Sequence, residues 1–390
     1  MFNYNSDVLD FEKSHTLSLV REAFNRISDN YDREKDESYL VVDAFCNMPK
    51  SLPWRIIYRL NYHLFKHMGF TINNSKWFNE SMTRYMQLLP MNYLKSLSSG
   101  IMLYTINKFP LLDEIYDMLS DVKSKETFDW FIKYKIALNI TDIRNAEVLF
   151  PYPTRGTAYF NILADKMISK VGDNYQVKQY QLHTDYELVY HTWIYRQYLL
   201  SGVCEPKEGD VVIDAGAFLG ETAVWFADSV GENGKVYSFE PSTQNMKGLE
   251  KNIKVNGLEH IITTIPKGLL DENKKIKFLT QSYSSSCSEQ EGNVEIEVTT
   301  LDSFVNDNGL SKVDIIKMDI EGAELKALKG AVEAIKKFKP TLAICAYHKP
   351  EDIFEIPLFI KSLVPEYKIY LSHKCITWSE TIIFASVKVE

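Results

Sequence analysis

The sequence lacks a surplus of basic residues and any long apolar run. Its 390 residues carry 44 Lys and Arg against 52 Asp and Glu, which gives a formal net charge of −8. A protein that neutralises nucleic-acid phosphates is expected to be basic, so no nucleic-acid partner is predicted. The longest stretch without a charged side chain, residues 96–107, has 12 residues. A bilayer span requires ~20 apolar residues, so no membrane span is predicted either.

Cysteine is also scarce. The five cysteines are scattered and contain no C-x-x-C pair, which argues against a disulfide framework or a zinc knuckle. His63 and His67 stand four residues apart, but Leu64 occupies the place where H-E-x-x-H requires glutamate, so no metal is predicted. The N-terminus has neither the basic flank nor the apolar core of a secretory signal. We therefore expect reduced thiols and a cytoplasmic location.

The chain divides into two regions with different patterns. Up to about residue 150, apolar residues recur at helical spacing, and Ser14, Ser51 and Ser124 are expected to open helices that end near residues 27, 68 and 138. Pro151 and Pro153 then interrupt this pattern. We expect a mainly helical N-terminal region over residues 1–150, which binds substrate or a partner, and a second domain over residues 151–390.

From residue 209 onward, short β-rich runs alternate with helical runs, which is typical of βαβ units around a parallel sheet. The aromatic run over residues 186–198 is expected to form a helix packed on this domain, although it could also border the cofactor pocket. A hairpin over 276–279 and 294–298, with a serine cluster at its tip, interrupts the alternation. The last two strands lack an intervening helix and should pair antiparallel. The expected strands are 211–214, 236–239, 261–265, 313–318, 341–346, 368–371 and 382–386, and the expected helices are 221–229, 243–256, 323–336 and 352–363.

A glycine turn follows the first of these strands. Asp214 ends the strand, and Gly216, Ala217 and Gly220 lie in the loop before the next helix, at the sheet edge where α/β proteins bind ligands. The loop lacks the G-x-G-x-x-G spacing that seats a pyrophosphate on a helix N-terminus. A carboxylate at Asp214 would repel a pyrophosphate but suits the ammonium and sulfonium charges of S-adenosylmethionine. We therefore expect S-adenosylmethionine as the cofactor.

Further acidic residues follow the second and fourth strands. Glu240, with Pro241 after it, comes 20 residues past the last glycine of the turn, where an acidic side chain can accept both ribose hydroxyls. Asp319 ends the fourth strand and could orient the amino group of the cofactor, hold the acceptor or bind a cation. Glu321 and Glu324 either belong to the site or complement the dipole of the following helix.

His348 is the candidate general base. It follows the fifth strand on the same sheet edge as Asp319, and an ordinary imidazole pKa near ~6.5 would leave it neutral at cytoplasmic pH. A positioned base typically accelerates a reaction ~10²–10⁴-fold. The alternative is a structural histidine that caps the end of the strand. Lys349 either orients an anionic substrate or lies on the surface.

These segments together resemble the FkbM family of S-adenosylmethionine-dependent methyltransferases. The resemblance is carried by V-V-I-D-A-G-A-F-L-G-E-T, K-V-Y-S-F-E-P, T-T-L-D-S-F, I-I-K-M-D-I-E-G-A-E and A-Y-H-K-P-E-D, in this order. It covers the second half of the chain and places Asp214, Gly216, Gly220 and Glu240 in the cofactor motifs. It implies the α/β class I methyltransferase fold, which is Rossmann-like, with a seven-stranded, mostly parallel sheet and an antiparallel last strand.

The resemblance also implies O-methylation of a hydroxyl on a sugar, glycan or secondary metabolite. No N-P-P-Y follows the fourth strand, so methylation of an amide nitrogen has no support in the sequence. The expected function is therefore methyl transfer from S-adenosylmethionine to a hydroxyl of a small polar, carbohydrate-like acceptor. Two alternatives stay open: a nucleotide-dependent oxidoreductase or epimerase on a similar sheet, and a non-catalytic protein that binds a partner. The oligomeric state is open as well, a homo-oligomer included.

Overall fold

The computed structural model of the protein describes residues 13–30, 105, 107–141, 143–151, 157–279, 286–287, 294–374 and 380–388. The chain divides into two compact units. The first comprises Met1–Phe109 and Trp130–Tyr152, and the second comprises Pro110–Asp129 and Pro153–Glu390. The helix predicted to end near residue 68 lies outside the described residues. The assignment of the N-terminal region to substrate or partner binding stays a prediction.

The first part of the described chain is helical. It forms α1 (His15–Asn30), α2 (Phe109–Met118), α3 (Val122–Ile140) and α4 (Ile143–Leu149). The predicted cap of α1 is confirmed, because Ser14 Oγ accepts a hydrogen bond from Leu17 N at 3.1 Å. Helix α3 begins earlier than predicted, since Asp121 and not Ser124 caps it: the Asp121 carboxylate accepts from Ser124 N at 2.7 Å. The apolar face predicted for α3 is buried at Phe128, Phe131, Ile132 and Ile136.

A small antiparallel sheet and an aromatic helical segment precede the main sheet. The elements are α5 (Thr157–Met167), β1 (Ile168–Val171), β2 (Asn174–Val177), β3 (Tyr180–Leu182), α6 (Tyr186–Val189) and a π-helical turn, Tyr190–Tyr195. The prediction that the aromatic run packs on the domain is confirmed, because Tyr190, Trp193 and Tyr195 are buried. Each large aromatic side chain contributes a considerable apolar area to such a core.

Between residues 211 and 386 strands and helices alternate. The strands are β4 (Val211–Ala215), β5 (Lys235–Phe239), β6 (Ile262–Ile265), β7 (Gly268–Leu269), β8 (Lys274–Leu279), β9 (Ser286–Cys287), β10 (Val294–Thr299), β11 (Ile315–Met318), β12 (Thr341–Cys345), β13 (Lys368–His373) and β14 (Thr381–Ser386). The helices are α7 (Glu221–Val230), α8 (Thr243–Val255), α9 (Leu301–Asp307), α10 (Glu324–Lys329), α11 (Val332–Phe338) and α12 (Asp352–Leu363). Among the described helices, none has both the length and the apolar character needed to cross a membrane.

The main sheet has seven strands in the order β13-β14-β12-β11-β4-β5-β6. Strand β14 is antiparallel to both of its neighbours, and the pairs among β12, β11, β4, β5 and β6 are parallel. Every residue of β11, β12 and β14 is buried, as expected where helices cover both faces of a sheet. The predicted class I methyltransferase fold is confirmed, including its antiparallel last strand.

Two details differ from or extend the predicted element pattern. The helix expected over 323–336 is broken into α10 and α11 at Gly330, where a Cβ atom would lie 2.0 Å from the Leu270 carbonyl oxygen. The predicted hairpin is confirmed as the antiparallel pair β8 and β10, which joins β7 and β9 in a second sheet. The first serines of the cluster at its tip, residues 282–285, lie outside the described residues.

The segment Pro110–Asp129 covers one edge of the main sheet. Leu119 forms a parallel bridge with Ile369 of β13, and Ser120 N donates to the Ile369 carbonyl oxygen at 2.9 Å. Further along β13, Leu371 N donates to Ser124 Oγ at 3.0 Å. An uncovered edge strand exposes a row of unpaired backbone groups, so these contacts explain why the segment belongs to the second unit.

A buried ion pair ties the two central strands together. Asp214 of β4 lies opposite Lys317 of β11, and Lys317 Nζ is 3.0 Å from Asp214 Oδ1, with both side chains buried. The same ammonium donates to the carbonyl oxygens of Ala215 at 3.2 Å and Gly216 at 2.8 Å. Thr222 Oγ1, from the first turn of α7, donates to Asp214 Oδ2 at 2.9 Å. The pair therefore fixes the carboxyl ends of β4 and β11 relative to the start of α7.

Substitution of Lys317 tests this arrangement. Lys317→Met should lower the free energy of unfolding by about 3–5 kcal/mol, because it leaves the Asp214 carboxylate buried without its counter-charge. The matched control is Lys312→Met, which breaks the half-exposed pair with Asp314 at 3.0 Å and should cost about 1 kcal/mol or less. Urea unfolding of both variants provides the measurement. Equal losses of unfolding free energy in the two variants would show that the buried pair contributes no more to stability than the half-exposed one.

Candidate active site

The turn after β4 brings three strand ends together. Gly216 and Gly220 have positive φ angles of 78° and 93°, which glycine adopts without strain. A Cβ atom on Gly216 would lie 1.8 Å from the Asp319 carbonyl oxygen, so a larger residue would push β4 and β11 apart. The backbone N–H groups of Gly216 and Ala217 donate to the Phe239 carbonyl oxygen at 3.0 and 3.1 Å. The predicted turn residues therefore lie where β4, β5 and β11 meet.

Two acidic side chains at this turn are buried. The Asp214 carboxylate, expected to suit the charges of the cofactor, is buried and enclosed by Lys317 and Thr222, and it holds the turn in place. The sequence signal for this pairing is a lysine inside the otherwise apolar strand Ile315–Met318. Glu221 opens α7, and burial raises the pKa of its carboxyl group to about 8. No described residue donates a hydrogen bond to Glu221 Oε2.

Glu240 lies beside the turn, at the end of β5. Its Oε2 accepts from Phe218 N at 3.1 Å, and its Oε1 accepts from Ser242 N at 2.8 Å and from Asn245 Nδ2 at 3.3 Å. Burial raises the pKa of the Glu240 carboxyl group to about 7, although these hydrogen bonds oppose the shift. The predicted ribose acceptor thus borders the glycine turn, and Pro241 follows it in the chain.

Asp319 follows β11 and is held by two tyrosines. Its Oδ2 accepts from the Tyr198 hydroxyl at 2.6 Å, and its Oδ1 accepts from the Tyr347 hydroxyl at 2.9 Å. Burial alone would raise the pKa of Asp319, but the charges of His348 and Lys317 and the two hydroxyls hold it below its ordinary value. Sequence reasoning missed both tyrosine contacts, although Tyr198 belongs to the aromatic run and Tyr347 directly precedes the predicted base.

His348 lies among three carboxylates. Its Nε2 is 3.4 Å from Asp319 Oδ1 and 3.6 Å from Glu321 Oε2, and its Nδ1 is 2.9 Å from Glu324 Oε1. Burial alone would lower the pKa of His348, but the negative charges of Glu324, Asp319 and Glu321 raise it to about 10. The expectation of a neutral imidazole at cytoplasmic pH is therefore wrong for this arrangement. Without a bound ligand, His348 is an imidazolium at neutral pH.

Glu321 and Glu324 occupy different environments. Glu321 has a left-handed backbone with φ of 54°, an uncommon and strained conformation for this residue type. Its side chain is 42% exposed, compared with 22% for Asp319 and 9% for His348. Glu324 opens α10 but is fully buried, and its Oε1 accepts from Ile320 N at 2.8 Å. Glu324 therefore belongs to the site as well as to the first turn of its helix.

Two more acidic groups surround this cluster. Burial raises the pKa of Glu380 to about 8, with the charge of Asp319 adding to the shift. Burial also raises the pKa of Asp352 to about 7, and the charge of Glu324 adds to it. The carboxyl edge of the sheet is thus rich in acid, a property that favours a cationic ligand and provides acceptors for hydroxyl protons.

The second unit is similar to known proteins over this same region. Residues 214–367 match the family described as Methyltransferase FkbM domain. Hexuronic acid methyltransferase AglP of Haloferax volcanii is 24% identical over 156 residues, which is 39% of this chain and 63% of the relative. The crystal structure of methyltransferase FkbM from Methylobacillus flagellatus has 22% identity and a TM-score of 0.48, over 72% of this chain and 59% of that one.

A more distant solved structure is Aeropyrum pernix fibrillarin in complex with S-adenosyl-L-methionine. It has 17% identity and a TM-score of 0.32, over 49% of this chain and 73% of the other. The chain spans less than two thirds of the length of AglP and of the Methylobacillus protein. The family match begins at the buried Asp214 and contains the glycine turn, Glu240, Asp319 and His348. The chain therefore contains a segment, residues 214–367, that matches the FkbM methyltransferase domain.

Proposed function

We propose that this protein transfers the methyl group of S-adenosylmethionine to a hydroxyl of a polar, carbohydrate-like acceptor. The observation that carries the proposal is the meeting of the glycine turn, Glu240 and the acidic cluster around Asp319 at one edge of the sheet. Among the described residues, Lys317 provides the positive charge at the turn. It is paired with Asp214, so it is not available to bind a pyrophosphate. This disfavours the alternative of a dinucleotide-dependent oxidoreductase.

The residues at the turn fit the proposed cofactor. S-adenosylmethionine supplies a methyl group activated by a sulfonium charge. The backbone of Gly216, Ala217 and Gly220 would lie against it, and Glu240, with Pro241 beside it, would accept its ribose hydroxyls. Asp319 would face its cationic end, since a carboxylate of lowered pKa remains ionised there. Asp214 acts indirectly, because it fixes the turn through Lys317 and Thr222.

Glu321 is the proposed proton acceptor. It is the most exposed carboxylate of the cluster, whereas His348 is enclosed by Asp319 and Glu324. In the step, a lone pair of the acceptor oxygen forms a bond to the methyl carbon, and the carbon–sulfur bond breaks with its electrons kept on sulfur. The hydroxyl proton moves to the Glu321 carboxylate. Holding the two reactants in line lowers the barrier further, by up to roughly 7–11 kcal/mol in favourable cases.

A carbohydrate acceptor is supported by the likeness to a hexuronic acid methyltransferase. A uronic acid offers both hydroxyl groups and a carboxylate to a methyl donor. The acidic cluster favours the hydroxyl, because neighbouring carboxylates accept its proton but repel a carboxylate acceptor. Deuterium-labelled S-adenosylmethionine, offered with uronic acid glycosides and neutral glycosides, tests this choice. Label in an alkali-stable ether supports the proposal, whereas label in an alkali-labile ester contradicts it.

Glu240→Gln tests the proposed ribose contact. The substitution keeps the shape of the side chain but removes its charge, and charge-assisted hydrogen bonds contribute about 1.5–3 kcal/mol. The dissociation constant for S-adenosylhomocysteine should therefore rise ~10- to 100-fold in calorimetry. Glu250→Gln, on the exposed side of α8, is the matched control and should bind like the native chain. Equal affinity in both variants would rule out the contact.

The same carboxyl group should make cofactor binding depend on pH. Because burial raises the pKa of Glu240 to about 7, the group becomes protonated as the pH falls below 7. Ribose hydroxyls donate to the ionised form, so affinity should weaken by up to about tenfold for each pH unit below 7. Calorimetry from pH 8 to pH 5.5 measures this slope. Glu240→Gln should flatten it, and a slope that persists in this variant would assign it to another group.

Glu321→Gln tests the proton acceptor. Turnover with the identified glycoside should fall ~10²-fold or more, because the amide cannot take a proton in the transition state. The affinity for S-adenosylhomocysteine should stay within a factor of about two, since the proposed contact is with the acceptor. Glu355→Gln, on the exposed face of α12, is the control. Native turnover in the Glu321 variant would exclude it as the base.

A further inference from the structure

We propose that Asp319, Glu324 and His348 bind one divalent cation, of the class of Mn²⁺ and Mg²⁺, at the carboxyl edge of the sheet. The three residues come from the end of β11, the start of α10 and the loop after β12, so the fold itself brings them together. This inference rests on the proposed function for the role of the ion, which would hold the acceptor hydroxyl. Binding of the ion is tested separately from methyl transfer.

The spacing of the three groups fits a single ion. One potential ligand atom from each residue lies within 4.8 Å of those from the other two. Ligands at 2.0–2.1 Å in an octahedral shell are roughly 3 Å apart when adjacent and roughly 4.2 Å apart when opposite. The imidazole offers only one of its two nitrogens to an ion, and the 4.8 Å spacing counts one atom from each residue. Each nitrogen already lies near a carboxylate, Nδ1 at 2.9 Å from Glu324 Oε1 and Nε2 at 3.4 Å from Asp319 Oδ1. The residues are therefore close to ligand spacing without a backbone movement.

Unsatisfied buried atoms provide a second, independent indication. Glu324 is fully buried, and none of the described residues hydrogen-bonds its Oε2. His348 Nδ1 approaches Glu324 Oε1 to 2.9 Å, yet their relative orientation does not make a hydrogen bond. Buried polar groups in native proteins are normally paired, and each exception requires an explanation. Two buried ligand-type atoms without a hydrogen bond, Glu324 Oε2 and His348 Nδ1, are the arrangement expected around a cation.

The local charge also favours a divalent ion. Asp319, Glu321, Glu324, Glu380 and Asp352 are close enough to influence one another, and Glu324 and Glu380 each leave one buried oxygen without a described donor. Among the described residues, the cations whose charges reach this cluster are His348, Lys349 and Lys317, and Lys317 is also paired with Asp214. Oxygen ligands with one imidazole suit Mn²⁺ or Mg²⁺ better than a soft metal. The ion would replace the proton on His348, since metal ligands must be deprotonated.

The ion would act on the acceptor by polarising its hydroxyl group. A divalent cation stabilises the developing negative charge on oxygen and lowers the pKa of a bound hydroxyl. Glu321, exposed next to His348, would then accept the released proton. This role explains why a histidine and two carboxylates meet at this sheet edge, although binding of the cofactor alone would require fewer acidic groups.

Manganese binding to the full-length chain tests the proposal. The chain is freed of metal with a chelator, saturated with S-adenosylhomocysteine and titrated with Mn²⁺ while electron paramagnetic resonance follows the free ion. We expect one Mn²⁺ per chain, displaced by Mg²⁺. Glu324→Gln keeps an acceptor for Ile320 N but removes a charged ligand. This variant and Asp319→Asn should each raise the dissociation constant for Mn²⁺ at least ~10-fold. Loss of a group that only orients a metal ligand already weakens binding by that much, and a lost ligand should cost no less.

Glu333→Gln, on the exposed side of α11, is the matched control and should bind Mn²⁺ like the native chain. Far-ultraviolet circular dichroism and urea unfolding show whether each variant is folded, and Asp319→Asn decides the result if Glu324→Gln does not fold. A native chain that binds S-adenosylhomocysteine but not Mn²⁺ overturns the cation site alone. Binding of Mn²⁺ that both ligand variants leave unchanged overturns it too. A chain that binds neither ligand overturns the proposed function.

Discussion

The buried ion pair between Asp214 and Lys317 is the interaction on which the arrangement of the site depends. An uncompensated charge in the centre of a sheet is costly, so each residue requires the other. Their pairing aligns the ends of β4 and β11 and brings the Gly216 backbone against the Asp319 carbonyl group, where no side chain would fit. The proposed ribose acceptor Glu240 is then positioned through Phe218 N, which belongs to the same turn. One pair of charges therefore positions both the proposed cofactor site and the acidic cluster.

The acidic cluster depends on the same strand ends. Tyr198 and Tyr347 donate to Asp319, and Asp319 in turn helps to keep His348 positively charged. Burial makes every one of these interactions stronger than it would be in water, and it raises the pKa of Glu321 to about 7. Charged groups from β11, α10 and the loop after β12 therefore interact at this edge. Their net negative charge is what would suit the edge to a cationic cofactor and a hydroxyl acceptor.

Much of the fold could be predicted from local sequence patterns, because the periodicities of strands and helices depend on residues that are close in sequence. The failures come from contacts between residues distant in sequence. Gly330, where the helix breaks, lies against the Leu270 carbonyl group, and no helical pattern reveals this contact. The positions of His348 and Glu240 at the sheet edge could be predicted, since each follows the carboxyl end of a strand. The charge of His348 could not, because it depends on Glu324 and on other carboxylates that only the folded chain brings near.

The central claim is that the glycine turn binds an adenosyl cofactor with a cationic end and not a dinucleotide. Calorimetric titration of the full-length chain with S-adenosylhomocysteine and, separately, with NADH tests it most directly. The arrangement of Glu240, Asp319 and the enclosed Lys317 predicts one saturable site for S-adenosylhomocysteine and no heat with NADH. Saturable binding of NADH without binding of S-adenosylhomocysteine would contradict the account.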